Sequence, residues 1–259
     1  MNKNAAPISQ DAWQEINDTA KEALTNFLSA RKSLNVEGPR GKAFGVINEG
    51  KLEDIKEKDG VCFANYDVKP LTEIRIEFDL DRFELDNIER GSEDPELDNL
   101  EEACEKIALF EENAIYNGLK EAEISGIKES SEHEAIEFGE SANDIRKAIA
   151  LGVSELKESY AHSPFDLIVS KDVLTKIHAA ESPYPLYEAI EKIIGGKIIL
   201  SRAIDGAILL PHDDEDIRLV IGEDFTIGYQ DSDNKKVIFY ITESFTTRIL
   251  DEAKIVVYR

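Results

Sequence analysis

The sequence predicts an α+β protein, a class in which helices and mostly antiparallel strands are mixed along one chain. Three observations lead to this prediction. Residues 9–31 carry a helical pattern, the middle of the chain holds both helical and extended patterns, and the last third is dominated by strands. The length of 259 residues is enough for one large domain or two closely packed domains.

The first predicted element is an amphipathic helix over residues 9–31. Ser9 is a suitable N-cap, because its hydroxyl can accept a hydrogen bond from a free backbone N–H of the first turn. Apolar side chains then recur at helical spacing and form one stripe: Trp13, Ile16, Ala20, Leu24, Phe27 and Leu28. Two interpretations remain open. The stripe either packs on its own domain or stays partly free to receive a segment of a partner.

Residues 38–70 predict an extended arm with little core of its own. Gly38-Pro39-Arg40-Gly41 ends the preceding regular structure. Two extended pieces follow, at residues 44–47 and 61–66, and turn-rich polar sequence separates them. Because a lone two-stranded ribbon is only marginally stable, we expect the arm to lie on a neighbouring molecule. The arm therefore indicates oligomerisation.

Beyond the arm, strand and helix patterns follow each other to the end of the chain. Residues 71–78 alternate apolar and charged side chains, which predicts a half-buried strand. A short helix over 81–90 is closed by Gly91, and Asp94-Pro95 starts a longer helix that reaches about Gly118. Ser141 caps the next helix. Further helices are predicted to about residue 180 and over 186–194, and strands over 165–169, 197–200, 207–210, 217–221, 237–242 (continued by 245–249) and 255–258.

The charge balance limits the classes of partner. Fifty-four acidic residues against thirty basic ones give a formal charge of −24, which repels nucleic acid and anionic lipid. No segment approaches the length and hydrophobicity of a membrane-spanning helix, and the first residues lack the apolar core of a secretory signal. The two cysteines, Cys62 and Cys104, form no recognisable disulfide framework. We therefore expect a cytoplasmic protein with no nucleic-acid or membrane partner.

The sequence shows no motif for catalysis or for a resident metal. Gly195-Gly196-Lys197 lacks the Ser or Thr that a phosphate-binding loop needs next, and no G-x-S-x-G elbow occurs. None of the four histidines lies in a metal-ligand pattern, and no E-x-x-H for a di-iron site is present. The acidic run at residues 213–216 could bind a hard cation or form a solvated turn. We expect no enzyme activity and no metal.

Several local sequences resemble the family 1 encapsulins, an older name for which is the linocin family. The most recognisable segment is residues 83–91, FELDNIERG, and residues 6–16 and 36–39 match the N-terminal region of that family. Further matches follow in the same order along the chain: residues 110–118, 124–127, 184–186, 195–198, 221–224, 227–229 and 241–246. Each match is weak alone, but together they cover nearly the whole chain.

The resemblance implies the tailed-bacteriophage major-capsid-protein fold, in a shell subunit of an icosahedral nanocompartment with about sixty or more copies. The implied parts are a lumenal helix region over 1–37, an extended loop over 38–70, a peripheral domain over 71–125 plus 225–259, and an axial domain over 126–224. Such shells enclose cargo enzymes, often a ferritin-like protein or a dye-decolourising peroxidase, which implies a role in iron storage or defence against oxidative stress.

The resemblance also assigns sites. A C-terminal cargo peptide would dock on an apolar groove in which a charge sets its register. Its residues here would be Leu24, Phe27, Leu28, Arg31, Ile227 and Tyr229. The five-fold pore would be formed by Ala179, Ala180, Glu181, Ser182 and Pro183, with Glu181 as the charge that favours small cations such as ferrous iron. Phe83 stands where some relatives place a flavin-stacking tryptophan, so the resemblance predicts no bound flavin and no other cofactor.

Two other functions remain as alternatives. One is a prophage-type capsid subunit that packages DNA, which the acidity of the chain disfavours. The other is a stand-alone hydrolase, which the missing nucleophile and base disfavour further.

Overall fold

The computed structural model describes residues 6–259, so the first five residues of the predicted 1–37 region lie outside the described part. The helices are α1 Gln10–Phe27, α2 Arg82–Glu89, α3 Asp98–Asn117, α4 Ile127–Ser130, α5 Ala142–Glu158, α6 Lys171–Ala179 and α7 Leu186–Ile194. The strands are β1 Asn35–Glu37, β2 Val46–Leu52, β3 Lys56–Lys58, β4 Val61–Phe63, β5 Tyr66–Pro70, β6 Thr72–Asp81, β7 Phe165–Val169, β8 Gly195–Leu200, β9 Ala207–Pro211, β10 Ile217–Ile221, β11 Thr226–Ser232, β12 Lys236–Ile249 and β13 Val256–Tyr258. This mixture confirms the predicted α+β class. Within residues 6–259, no helix combines the length and hydropathy that crossing a bilayer requires.

The larger sheet is organised around β12, which has fourteen residues. Strand β6 pairs antiparallel along one edge of β12, β10 and β11 pair along the other edge, and β1 joins β10 in parallel. Helices α1 and α3 pack on each other and on this sheet. Phe239 of β12 joins α1 to the sheet, because its ring centroid lies 5.5 Å from those of Trp13 and Phe78. Burial of these apolar surfaces is the main force that holds α1 in place.

A second core surrounds the four-stranded sheet β13-β9-β7-β8. Helices α5, α6 and α7 contribute its other buried side chains, among them Ile145 and Ile190. Strand β7 is buried along its whole length, which is why its sequence is continuously apolar apart from Asp166. Strand β13 lies in residues 225–259, which the resemblance assigns to the peripheral domain together with β11 and β12. In the structure it pairs with β9 in this second sheet.

The arm over residues 38–70 consists of two antiparallel ribbons, β2–β5 and β3–β4. Its base is attached to the larger sheet: the Gly41 N–H donates to Gly222 O at 2.7 Å, and Arg248 Nη2 donates to Glu49 Oε2 at 2.9 Å. Gly38 has a φ of +133°, and a Cβ there would lie 2.4 Å from Ile221 O, so only glycine fits. No residue of the arm belongs to either hydrophobic core of the described chain.

Most predicted elements are confirmed, but two helix boundaries and the number of strands in the arm were wrong. Helix α1 ends at Phe27 rather than at residue 31, because the Ser29 hydroxyl and the Ala30 N–H donate to Glu112. Helix α3 begins at Asp98 rather than at residue 94. There the Glu96 N–H donates to Glu84 of α2 at 3.3 Å, so the preceding residues follow α2 instead of the α3 axis. The arm also contains four short strands rather than two.

Candidate functional site

A groove of about 420 Å³ lies between α1 and the start of β11. Leu24 and Leu28 form one wall together with Ala20, because residues four apart lie on the same face of a helix. Ile227 of β11 and Ile241 of β12 form the opposite wall. The remaining lining residues are Asn17, Lys21, Thr25, Arg31, Asp224, Phe225 and Thr226. Leu24, Leu28, Arg31 and Ile227, four of the six predicted docking residues, therefore meet in one groove.

Arg31 lies at the end of this groove and is held by three carboxylates. Its Nε and Nη2 donate to the two carboxylate oxygens of Glu111 at 3.0 and 3.1 Å, and its Nη1 donates to Asp224 Oδ1 at 2.8 Å. Nη2 also donates to Glu243. The guanidinium carbon lies 4.8 Å from the centre of the Phe225 ring. Since a guanidinium has five N–H donors, about one remains for any ligand in the groove.

The adjacent Glu112 fixes the turn that follows α1. Its carboxylate accepts hydrogen bonds from the Ser29 hydroxyl, from the Ala30 N–H at 2.8 Å and from the Ser201 hydroxyl at 3.4 Å. The Tyr116 hydroxyl lies 2.9 Å from that of Ser29. These contacts satisfy polar groups that are buried below the groove, where an unpaired donor would be costly.

Burial controls the ionisation of this cluster. Burial opposes the charge on Arg31, but Glu111 and Glu243 more than offset it, so the pKa of Arg31 is raised. Burial raises the pKa of Glu111 against the effect of Arg31, and burial together with the Glu111 charge raises the pKa of Glu243 further. Burial also raises the pKa of Glu112 to about 7, although hydrogen bonds from Ser29 and Ala30 oppose it.

The other two predicted docking residues lie outside the groove lining. Phe27 is half-buried, and the guanidinium carbon of Arg202 lies 4.4 Å from the centre of the Phe27 ring. Phe27 lines a separate depression of about 530 Å³. The acidic residues that line the same depression are Glu22, Asp98, Glu101, Glu102 and Glu105. Tyr229 packs edge-on against Phe239, with ring centroids 6.5 Å apart, and its hydroxyl lies 3.0 Å from that of Ser232. The structure thus brings neither side chain to Arg31.

Sequence reasoning missed the residues that bind Arg31. Asp224 could have been found, because it follows Gly222 in a turn that leads directly into β11. Glu111 gave no local signal, since acidic residues are common along α3. A lone Glu in a buried strand is unusual, and this was the one pattern that could have indicated Glu243.

The arm exposes large apolar side chains. Phe63 is 51% exposed, Val61 65% and Tyr66 67%. Val46, Leu52, Ile55 and Val68 complete the set, and all of them are exposed. Such a concentration of apolar surface on one extended segment is typical of an interface.

The predicted pore residues form the loop between α6 and α7. Ala179, Glu181 and Pro183 are exposed, whereas Ala180 and Ser182 are half-buried. Arg146 of α5 donates to the Ser182 hydroxyl at 3.3 Å. His178 and Tyr187 stack at the base of the loop, 5.3 Å apart. The loop is therefore anchored at both ends while Glu181 faces solvent.

Phe83 lies on α2 and is 69% exposed. It lines a depression of about 420 Å³ together with Lys236 and five carboxylates, those of Asp79, Asp81, Glu84, Glu96 and Asp98. The phosphate of a flavin nucleotide would meet mostly negative charge in this setting.

Comparison with known proteins identifies the family. A family model described as "Encapsulating protein for peroxidase" matches residues 1–246. A type 1 encapsulin shell protein of Mycolicibacterium paratuberculosis is 33% identical over 246 residues, which cover 94% of this chain and 93% of the relative.

Solved structures show the same fold at lower identity. A virus-like particle from Pyrococcus furiosus superimposes with a TM-score of 0.70 at 19% identity, over 95% of this chain and 98% of the other. The capsid of Myoviridae phage XM1 superimposes with a TM-score of 0.55 at 12% identity, over 88% of this chain and 90% of the other. The predicted capsid-protein fold is thereby confirmed. On the sequence matches over nearly its whole length, the chain belongs to the family of type 1 encapsulin shell proteins.

Proposed function

We propose that this protein is the self-assembling shell subunit of an icosahedral nanocompartment that encloses cargo enzymes. The observation that carries the proposal is the arm over residues 38–70, which exposes seven large apolar side chains and joins neither core. Burying such a side chain contributes roughly 1.5–3 kcal/mol. A second copy of the chain that covers the arm would therefore stabilise the assembly. Membership of a family whose members are named shell proteins supports the same function.

The parts of the chain have the following roles in the proposed shell. Residues 1–37 line the lumen, residues 38–70 reach onto a neighbouring copy, residues 71–125 plus 225–259 form the peripheral domain, and residues 126–224 form the axial domain. The axial domain surrounds the five-fold vertex, and closure requires on the order of sixty copies or more. The α6–α7 loop, residues 179–183, then lines the pore, where Glu181 attracts small cations such as ferrous iron.

The groove beside α1 is the proposed docking site for a C-terminal peptide of the cargo. Its apolar walls, from Leu24, Leu28 and Ile227, suit an extended peptide with apolar anchors. Arg31 is occupied by three carboxylates, whereas the Asp224 side chain is 47% exposed. We therefore expect the charge that sets the register to be Asp224, paired with a basic side chain of the peptide. Phe27 and Tyr229 flank the groove and contact the peptide only if it extends beyond the lining residues.

The shell itself is proposed to have no enzymatic role and no cofactor. The chemistry belongs to the cargo, for which a peroxidase is favoured by the description of the family model, and a ferritin-like protein is the other candidate. We place the shell in the cytoplasm, which is consistent with two unpaired cysteines, one of them exposed. A capsid that packages DNA is disfavoured by the charge of −24, because phosphates would face an acidic wall.

Negative-stain imaging of the purified protein tests the assembly. Closed shells of uniform diameter are expected, and the material that co-purifies with them should be protein. Single subunits, or particles that carry nucleic acid, would contradict the proposal.

A blocked groove tests the docking site. Thr25 is exposed and lines the groove, so Thr25→Trp should fill it without disturbing the core. Co-purification of a fluorescent protein that carries the C-terminal tail of the cargo should fall about tenfold, the equivalent of about 1.4 kcal/mol. Glu22→Trp is the matched control, because Glu22 lies on the same helix but lines the other depression. Equal loading of both variants would place the docking site elsewhere.

A further inference from the structure

Glu111 of α3 and Glu243 of β12 form a buried pair of carboxyl groups beneath Arg31. Both side chains are completely inaccessible to solvent. Glu243 Oε2 is buried and accepts no hydrogen bond from any N–H or O–H donor of the described residues. The two carboxyl groups nevertheless lie side by side, because both accept a hydrogen bond from the same nitrogen, Arg31 Nη2. Because an ionised carboxylate can only accept, a hydrogen bond between the two groups requires that one of them carries a proton.

The charges around the pair explain why a proton is retained there. Arg31 is the only cation that the described residues place against it, and it faces the carboxyl groups of Glu111 and Glu243. The other groups facing the cluster are Glu112 and Tyr116 from α3, Ser29 from the turn after α1, Ser201 after β8, and Asp224 before β11. If Glu111, Glu243, Asp224 and Glu112 were all ionised, four negative charges would surround one guanidinium, which contacts only the first three. An uncompensated buried charge is costly, and the group neutralises by holding a proton instead.

We propose that Glu243 holds a proton and donates it to Glu111, and that this shared proton fixes Arg31 and the C-terminal end of α1, keeping the groove in shape until the proton is lost. Glu243 is then a positioning residue that acts through Arg31. Its effect on the groove rests on the proposed function, whereas the shared proton itself does not.

Loss of the proton would act on a defined segment. Two like charges would then face each other between α3 and β12, and Arg31 could not neutralise both. The amides of Leu28, Lys32, Ser33 and Leu34 form the hydrogen bonds of the turn after α1. Ala30 donates to Glu112 beside them. This turn should therefore open before the rest of α1 does.

Infrared spectroscopy of the full-length protein tests the proton directly. Glu112→Gln serves as the background, so that Glu112 contributes no carboxyl signal. At neutral pH, this protein should show the carbonyl band of a protonated carboxyl group. The band should disappear when either Glu243→Gln or Glu111→Gln is added, because each leaves only one carboxyl group of the buried pair, with no second group to share a proton. A spectrum without the band, or a band unchanged in both variants, would overturn the proposal.

Hydrogen exchange tests the consequence, with Glu243→Gln as the main variant. The glutamine amide can donate to Glu111 and its oxygen can accept from Arg31, so it imitates the protonated state at every pH. At alkaline pH, the amides of residues 28–34 should exchange at least about tenfold more slowly in Glu243→Gln than in the native protein. In mildly acidic solution the two should agree. Glu105→Gln, on the exposed side of α3, should follow the native protein. If Glu243→Gln showed the native pH dependence, the turn would not respond to this proton. Neither measurement uses cargo or assembly, so the failure of either is separate from a failure of the proposed shell function.

Discussion

The arm and the body of this protein show opposite relations between sequence and burial. In the body, aromatic and aliphatic side chains such as Phe239 and Ile145 are inaccessible, and charges cover the surface. In the arm, Phe63, Val61 and Tyr66 are more than half exposed. The arm also carries six basic and six acidic residues, so the rest of the chain carries the whole charge of −24. The acidic residues are Glu49, Glu53, Asp54, Glu57, Asp59 and Asp67, and the basic ones are Arg40, Lys42, Lys51, Lys56, Lys58 and Lys69.

This difference shows which surface is adapted to water and which to protein. A strongly acidic body repels its copies at long range, whereas a neutral arm with apolar side chains can approach an acidic neighbour without that penalty. An extended segment without a core gains its stability only from what it lies on. The arm is therefore the part of the chain whose folded environment is another subunit.

The largest effect is expected from a charge placed on the arm. Phe63→Asp should abolish assembly while leaving the subunit folded, because an aspartate would be buried without a partner in the interface. Light scattering and circular dichroism of the same sample measure both properties. Asp59→Asn is the control. It lies at the tip of the β3–β4 ribbon with a φ of 53°, which asparagine tolerates, and should assemble normally. Intact shells from Phe63→Asp would remove the arm from the interface.

The next effect compares one residue type in the two regions. In the non-assembling Phe63→Asp background, Phe239→Ala should lower the free energy of unfolding by about 3–5 kcal/mol, because it leaves a cavity between α1 and the sheet. The free energies of unfolding of the Phe63→Ala and Phe63→Asp proteins should differ by no more than about 0.5 kcal/mol, because the side chain at this position has no core to pack against. Denaturant unfolding measures both. A large loss from the arm substitution would mean that Phe63 belongs to the fold of its own subunit.

The body should also respond to pH through Glu112. Its folded pKa of about 7 lies above the ordinary value of 4.5, so the folded state binds the proton more tightly than the unfolded state does. Stability should therefore fall as the pH rises from about 4.5 to about 7 and level off above it, a loss of about 3 kcal/mol. Glu112→Gln should lack this loss. Unfolding curves at several pH values test it, and parallel profiles for the two proteins would contradict the assignment.

A smaller effect is expected from salt. With −24 per subunit, repulsion between bodies should weaken assembly at low ionic strength, because the screening length grows to about 30 Å at about 0.01 M. Light scattering during dialysis would record the loss of particles. Shells that stay intact down to millimolar salt would show that the apolar contacts of the arm dominate throughout.

The smallest effect concerns the loop over residues 179–183. Glu181→Ala should slow ferrous iron uptake by assembled shells a few-fold, since one exposed charge per copy contributes modestly to attraction. Stopped-flow absorbance of loaded shells measures the rate, with Glu188→Ala on α7 as the control. An unchanged rate would exclude Glu181 from the path of the ion.

The sequence predicted what depends on local pattern. The stripe on α1, the cap at Ser9, the strand that joins residues 237–242 to 245–249, and the arm all follow from residue spacing and turn chemistry, and the structure contains them. The end of α1 does not. It depends on Glu112, which lies 83 residues from Ser29, and Arg31 binds side chains 80, 193 and 212 residues away. No local pattern encodes the pairing itself, so the position of Leu24 was predictable but the convergence of these side chains on Arg31 was not.

Electron cryomicroscopy of purified particles at near-atomic resolution would show directly what surrounds the arm. Val61, Phe63 and Tyr66, which are exposed in the single subunit, are expected to be buried against a neighbouring copy of the same chain. Particles in which these side chains remain in solvent, or a protein that forms no particles, would contradict this expectation.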